Sequence, residues 1–169
     1  MLCSTLQTVL HRELGAVRRS VEAYPDEASL WRLPSGLPNA GGTLVLHISG
    51  NLRHYVGAVL GGTGYVRDRD AEFARRDVPR DELLAEIDAA IEAVEHTMAK
   101  LPDDGLDAIY PERVGGRELT SRDYLVHLAS HLAYHLGQLD YHRRAVTGDK
   151  RGVDALPLDE LPAPETPVR

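Results

Sequence analysis

Three histidines recur at four-residue steps in one stretch of the sequence, HLASHLAYHLGQ: His127, His131 and His135. Residues four apart lie on the same face of an α-helix, one turn above another. The leucines of this stretch place His131 and His135 beside the apolar face, whereas His127 turns further toward the polar side. Two imidazoles one turn apart can bind one metal ion. The stretch lacks the glutamate of an HExxH motif, so this pair needs a third ligand from elsewhere.

His47 is the candidate for that third ligand. Together with Asn51 it flanks the apolar positions of another predicted helix, so it can face the interior of a helix bundle. His54 lies about two turns further along, ~10 Å at 1.5 Å per residue, and does not readily share an ion with His47. Histidines are also common as ordinary core residues. Spacing alone therefore leaves two interpretations of His47, His131 and His135 open, a metal site and a set of structural histidines.

Four amphipathic helices are predicted to position these residues. Apolar side chains recur in them at three- and four-residue steps, which indicates that each helix buries one face. Ser4 is a candidate N-cap of the first helix, and Thr120 with Asp123 forms a candidate capping box for the last. The predicted helices cover residues 4–23, 43–60, 80–100 and 120–146. This pattern predicts an all-α four-helix bundle.

The connections between the predicted helices are long. Residues 24–42 are rich in proline and glycine, and residues 65–80 mix acidic and basic side chains whose charges largely cancel, so both are predicted as connections without helix. Within 101–119, the sequence YPERVGGREL is a candidate for a small hairpin before the last helix. We expect one bundle domain over residues 1–147 and a proline-rich C-terminal tail over residues 148–169.

The composition excludes several classes of protein. Of the 169 residues, 43% are hydrophobic and 27% are charged, as in ordinary globular domains. The formal net charge of −7 argues against a nucleic acid as partner, since phosphate binding needs concentrated Lys and Arg. No apolar run reaches the ~18 residues that a membrane span needs, and the single cysteine, Cys3, forms no internal disulfide. We therefore expect a cytoplasmic protein.

Two stretches, LHISGNLRHYVGAVLGG and HLASHLAYHLGQLDYHRR, resemble the DinB/YfiT-like superfamily of metalloenzymes. The resemblance covers about residues 4–147, and its most specific features are the single histidine of the second helix and the HxxxHxGQ of the fourth. It implies a four-helix bundle with a three-histidine metal site at His47, His131 and His135. Many relatives carry a basic residue after the last histidine, whereas this chain has Leu136. That departure weakens any inference of an anionic substrate.

The resemblance also implies a reaction. Three protein ligands leave a coordination position open, as in catalytic sites, and zinc or nickel is the expected ion. Relatives include S-transferases and isomerases that use low-molecular-weight thiols such as mycothiol or bacillithiol, and relatives often dimerise. Metal-activated thiol transfer is therefore the first hypothesis; metal-dependent hydrolysis and non-catalytic binding of a metal or small ligand are the alternatives.

Four further side chains are candidates for the pocket around the ion: Asn51, His54, Tyr134 and Gln138. No Asp or Glu is predicted beside the three histidines as a general base. A thiolate needs no further deprotonation, so this expectation favours thiol transfer over hydrolysis.

Overall fold

Residues 2–161 are described by a computed structural model of the protein, and they form six α-helices. Within these residues four helices are long, and no regular β-strand is present. The prediction of an all-α bundle is therefore confirmed. The helices are α1 (Leu2–Glu22), α2 (Glu27–Trp31), α3 (Gly41–Leu52), α4 (Arg69–Ala74), α5 (Arg80–Met98) and α6 (Ser121–Thr147).

The four long helices share one apolar core. Helices α1 and α3 each pack against both α5 and α6. Every residue of α3 is buried, so it is the central helix of the bundle, whereas α6 buries one leucine stripe and exposes its opposite face. Burying a leucine side chain contributes roughly 1.5–3 kcal/mol of hydrophobic stabilisation. The stripe of α6 consists of Leu125, Leu128, Leu132, Leu136 and Leu139.

Helix α3 continues beyond its last α-helical residue as a π-helical segment, Arg53–Ala58. The wider turn is visible in the hydrogen bond from the Val59 amide to the His54 carbonyl, five residues back, at 3.0 Å. The segment ends at Ala58, and a turn then leads to Gly62, whose φ of 64° is readily adopted by glycine. The predicted end of the second helix at the glycine pair agrees with this geometry.

The connection after α1 contains a helix that the sequence interpretation missed. The Asp26 side chain caps α2 by accepting a hydrogen bond from the Ser29 amide at 2.7 Å. Trp31 then donates its indole N–H to the Val78 carbonyl at 3.1 Å, which holds the connection against the bundle. The prediction of Ser4 as an N-cap was also wrong, because α1 already begins at Leu2.

The charged stretch 65–80 is not simply a solvated loop. Asp68 accepts a hydrogen bond from the Ala71 amide at 2.9 Å and so caps α4. Glu72, in the first turn of α4, is buried. The sequence prediction failed here because balanced charges were taken as a sign of solvation, although two of them pair inside the protein.

The candidate hairpin before α6 is present as a turn without regular strands. Val114 and Arg117 exchange two backbone hydrogen bonds of 3.0 Å, and both Gly115 and Gly116 adopt positive φ, as a two-residue hairpin turn requires. The pairing is limited to isolated bridges. Tyr110 anchors this loop by donating its hydroxyl proton to the Tyr55 carbonyl at 2.6 Å.

The chain after α6 runs along the bundle as far as it is described. Gly148 ends α6 with a φ of 74°, and Arg19 then donates to the carbonyls of Val153 and Asp154 at 3.0 and 2.8 Å. Residues 162–169 of the predicted tail lie outside the described residues. The division into a domain over 1–147 and a tail over 148–169 remains a prediction. Among the described residues, no helix is long and apolar enough to span a bilayer.

Protonation of His142 should destabilise the fold. Burial lowers its pKa, although the hydrogen bond to the Arg32 carbonyl (2.8 Å) acts in the opposite direction. The unfolded chain therefore binds more protons between this lowered pKa and about 6.5, so stability falls as pH decreases through that window, by at most about 1.4 kcal/mol per pH unit from this one group. Urea unfolding at pH 7.5 and 5.5 measures the free energy of unfolding at each pH. The decrease in this free energy from pH 7.5 to 5.5 should be smaller for His142→Gln than for the wild type.

The matched control is His96→Gln, because His96 lies at an exposed position on α5. Its pH-dependent loss should equal that of the wild type. An unchanged loss in His142→Gln would contradict the assignment of this proton uptake to His142.

Candidate metal centre

The three histidines predicted from the sequence lie together in the structure. One ring nitrogen from each of His47, His131 and His135 lies within 4.8 Å of the others. The Nε2 atoms of His131 and His135 are 3.1 Å apart, and the His47 ring centroid lies 5.3 and 5.0 Å from the other two rings. Such convergence of nitrogen atoms is what a shared cation requires.

The convergence follows from how α3 and α6 pack. The two helices run antiparallel: Gly41 at the start of α3 lies against His142 near the end of α6, and the Tyr55 ring, just past α3, lies 5.2 Å from the Tyr124 ring near the start of α6. His47 therefore meets the middle of α6. His47 is buried, and the other two ligand candidates are half-buried.

Gln138 orients the ring of His135. Its Oε1 lies 2.7 Å from His135 Nδ1. Because an amide oxygen only accepts, Nδ1 carries the proton and Nε2 presents its lone pair toward the other histidines. Gln138 therefore contacts His135 on the side of the ring that faces away from the other two histidines.

Glu72 and Arg67 orient the ring of His47. Glu72 Oε2 lies 3.1 Å from His47 Nδ1, while Arg67 donates from Nε to Oε1 at 2.6 Å and from Nη2 to Oε2 at 2.8 Å. Arg67 Nη2 also lies 3.4 Å from His47 Nδ1, but the nearer carboxylate only accepts, so we assign the proton to Nδ1. His47 Nε2 is then free to face the other two histidines.

Glu72 is ionised in this arrangement. Burial raises the pKa of its carboxyl, but the hydrogen bonds from Arg67 and His47 outweigh burial and hold the pKa below its usual value. A carboxylate that accepts from the distal nitrogen of a ligand histidine fixes the tautomer and makes the ring a better donor to a metal.

Glu72 was not predicted beside His47 from the sequence; the expectation concerned a general base, and here Arg67 engages both oxygens of the carboxylate. Glu72 was missed because it lies in a charged stretch with no apolar periodicity. The signal that could have found it is Asp68, an N-cap residue followed by acidic residues, which indicates a short helix at this point. Nothing in the sequence itself indicates that this helix packs against His47.

A glycine makes the approach of Glu72 possible. A β-carbon on Gly50 would collide with the Glu72 carboxylate, since the carboxylate lies directly against the α3 backbone. Gly50 lies one turn from His47 on the central helix. The glycine therefore admits the carboxylate to the position from which it reaches His47.

Two of the three histidines, His131 and His135, are neutral at physiological pH. Burial, followed by the neighbouring His135 and His47, lowers the pKa of His131 to about 4, and burial also lowers the pKa of His135. Neutral imidazoles are the form that binds metal ions. Three nitrogen donors that lie within 4.8 Å of one another fit a divalent transition metal, and this donor set is compatible with zinc, nickel, iron or copper.

The other predicted pocket residues differ in how they lie relative to the three histidines. Asn51 is buried one turn from His47, and its Oδ1 has no hydrogen-bond partner among the described residues. His54 instead contacts Glu112, with His54 Nε2 3.3 Å from a carboxylate oxygen. Tyr134 is 65% exposed, although its ring lies 5.2 Å from the ring of His135. Of these candidates, Gln138 and Tyr134 contact His135, whereas His54 contacts Glu112.

Replacing Glu72 by Gln should weaken metal binding. The amide can still accept from His47 Nδ1, but it loses the charge that makes His47 a stronger donor, and it pairs poorly with Arg67. Loss of such an outer carboxylate lowers metal affinity about 10–100-fold. Competition with a chromophoric chelator would measure the change.

Glu118→Gln is the matched control, because the Glu118 side chain is 66% exposed and lies in the hairpin loop. Its metal affinity should equal that of the wild type. Equal affinities for Glu72→Gln and Glu118→Gln would contradict the orienting role of Glu72.

Comparison with known proteins assigns the chain to a family. No curated protein and no solved structure matches it significantly. A family model described as mycothiol S-transferase matches residues 5–148, which include all of the bundle from the first turn of α1 to the end of α6. This family is of the DinB/YfiT-like type that the two sequence motifs resemble. The chain therefore belongs to the mycothiol S-transferase family.

Proposed function

We propose that this protein is a metal-dependent S-transferase that uses a low-molecular-weight thiol, with mycothiol as the first candidate. In this proposal His47, His131 and His135 hold a divalent transition metal, zinc or nickel. The observation that supports the metal site is the convergence of one nitrogen from each histidine within 4.8 Å. The family match supports the thiol.

The chain's own residues prepare the site before any ligand binds. Glu72 and Gln138 fix the tautomers of His47 and His135, so that both rings present Nε2 toward the centre. Burial keeps His131 and His135 neutral. When bound, a divalent ion would supply the positive charge that favours a thiolate over a thiol, whose ordinary pKa is about 8.5.

The position of Glu72 favours thiol transfer over hydrolysis. Both of its carboxylate oxygens are engaged by Arg67, and one also accepts from His47 on the side of the ring that faces away from the centre. A general base must reach the proton that it removes. Glu72 is not available for this task, and a thiolate needs no such base.

Asn51 is the candidate for positioning the cosubstrate. Its buried Oδ1 has no partner among the described residues, and it lies one turn from His47 on the same helix. A buried polar atom without a hydrogen bond is costly, so a hydrogen-bond donor of the thiol would stabilise the complex. This role remains part of the proposal.

The proposed partners and location follow from the same reaction. Its substrates are small molecules, and we propose the cytoplasm as its location because thiols stay reduced there. We also propose a homodimer, from the resemblance to relatives that dimerise, and sedimentation equilibrium would measure the mass. Neither a membrane nor a nucleic acid takes part in the proposed reaction.

Alanine at His131 should abolish stabilisation by metal. An ion that binds only the folded protein raises its stability by about 2.7 kcal/mol at 100 times its Kd, which corresponds to a rise in Tm of about 5–10 °C for a chain of this size. We expect zinc or nickel to produce this rise in the wild type and not in His131→Ala. Differential scanning calorimetry with and without the ion measures it.

The control for this experiment is His127→Ala, one turn earlier on α6, because His127 is exposed and is not one of the three converging histidines. It should retain the full metal-dependent rise. A rise in His131→Ala equal to that of the wild type would overturn the ligand assignment.

Turnover of an alkylating electrophile by the metal-loaded protein should depend on the thiol. The rate should saturate with mycothiol concentration and vanish in its absence. Chromatography of the thioether product measures transfer directly. Turnover that ignores thiol concentration would support hydrolysis instead, and metal binding without turnover under any thiol would support a non-catalytic binder.

A further inference from the structure

The solvent-exposed side of α6 lacks Asp, Glu, Lys and Arg over about five turns. A surface helix ordinarily presents charged residues on the side opposite its core stripe. The exposed residues of α5 follow this rule and are mostly acidic: Asp81, Glu82, Asp88, Glu92 and Glu95. On α6 the exposed residues between positions 126 and 145, here named the outer face, are Val126, His127, Ser130, Ala133, Tyr134, Gly137, Tyr141 and Ala145.

Three large side chains of the outer face project into solvent. Val126, Tyr134 and Tyr141 are 46%, 65% and 74% exposed. The centre of a protein–protein interface is depleted in charged residues and enriched in tyrosine. The apolar surface continues beyond the helix, because Tyr141 and the exposed Leu37 border one apolar depression of about 280 Å³. This surface therefore has the composition of an interface rather than that of a solvated helix.

Gly137 indicates that another backbone approaches the outer face. Glycine in the middle of a helix is less favourable than alanine, because it loses more backbone freedom on folding. It is useful where a second backbone comes close. A β-carbon on Gly137 would nevertheless meet no heavy atom within 4 Å among the described residues. The close neighbour that this glycine permits is thus not found in the described part of the chain, which points to a second molecule.

The outer face is complementary to itself. Its midpoint, half-way between Val126 and Tyr141, lies between Ala133 and Tyr134. A two-fold axis at this point makes the α6 helices of two copies antiparallel, and each contact then occurs twice. Every large residue meets a smaller one in this arrangement. The facing pairs are Tyr134 with Ala133, Tyr141 with Val126, and Gly137 with Ser130.

The charges at the ends of the outer face are also complementary. Asp123 lies as far before the midpoint as Arg144 lies after it, about 16 Å along the helix. The same axis therefore places Asp123 of each copy opposite Arg144 of the other. Asp123 Oδ2 accepts from the Thr120 hydroxyl at 2.8 Å, which leaves Oδ1 for a partner. Arg144 Nη2 contacts Asp140 at 2.7 Å, which leaves Nη1.

This charge pattern favours a second copy as the occupant. The formal net charge of −7 makes two copies repel each other over most of their surfaces. The two-fold arrangement brings no like charges together along the outer face and pairs opposite charges at both ends. A face that lacks charge in the middle and carries one charge of each sign at its ends fits its own copy in the antiparallel direction.

We propose that the outer face of α6 is the interface of a two-fold symmetric homodimer. The two α6 helices pack antiparallel around Ala133 and Tyr134, with Asp123–Arg144 ion pairs at both ends. The Tyr134 ring also lies 5.2 Å from the ring of His135, so the interface adjoins the candidate metal centre of each copy. This assignment goes beyond the proposed S-transferase function and does not depend on it.

Sedimentation equilibrium with the full chain tests the interface. The wild type should dimerise, and Ala133→Glu should raise the dimer Kd at least tenfold, because it places two carboxylates at the centre of the contact. Gly137→Leu should have a similar effect by bulk alone, and it adds a side chain where the single chain has open space. Ala85→Glu makes the same change at an exposed position of α5 and should leave the Kd unchanged. Thermal melts verify that each variant folds.

Disulfide trapping tests the direction of packing. The two-fold arrangement brings position 130 of one copy opposite position 137 of the other, so Ser130→Cys combined with Gly137→Cys should form a covalent dimer on oxidation. Neither single variant should do so, because a disulfide needs α-carbons within about 7 Å of each other. The natural Cys3 is buried and does not compete. A covalent dimer of Ser130→Cys alone would overturn the antiparallel arrangement.

Two results of the sedimentation experiment would overturn the interface itself. One is a wild type that stays monomeric at every concentration, and the other is a dimer whose Kd neither Ala133→Glu nor Gly137→Leu changes. A monomeric wild type that still shows thiol-dependent turnover would reject the interface and retain the S-transferase. A dimer that these variants dissociate, without turnover under any thiol, would retain the interface and reject the S-transferase.

Discussion

The packing of α3 against α6 is the constraint on which the candidate metal centre depends. His47 comes from one helix and His131 and His135 from the other, so their nitrogens meet only while the two helices keep their antiparallel register. The leucine stripe of α6 and the complete burial of α3 maintain that register. The site is thus built on rigid helices, which hold ligand geometry more accurately than loops do.

The buried pair of Arg67 and Glu72 has a role that stability alone does not explain. Removing two charges from water carries a desolvation cost that their attraction only partly offsets, so a buried ion pair is weak evidence for stabilisation. Here the pair lies against His47 and is almost fully buried, with side-chain exposures of 9% and 6%. Its contribution is orientation, because the guanidinium fork fixes the carboxylate and the carboxylate fixes the imidazole.

The sequence predicts most of the fold and the inner part of the site. Apolar periodicity locates the four long helices because each buries a continuous stripe. The spacing of His131 and His135 on one of them indicates that they can bind the same metal ion. The short helices α2 and α4 are not predicted in this way, because five or six residues are too few to show a repeating apolar pattern. Their positions depend on tertiary contacts. Glu72 escapes for the same reason, because a hydrogen bond to a residue 25 positions away leaves no local pattern.

Gly50 links two parts of the chain that are distant in sequence. Its missing side chain provides the space that the Glu72 carboxylate occupies. A larger residue at position 50 is therefore incompatible with a glutamate at position 72, so the two positions should covary among relatives. Relatives with alanine or serine at the first position should carry a shorter residue at the second, and they would need another acceptor to orient the histidine of α3.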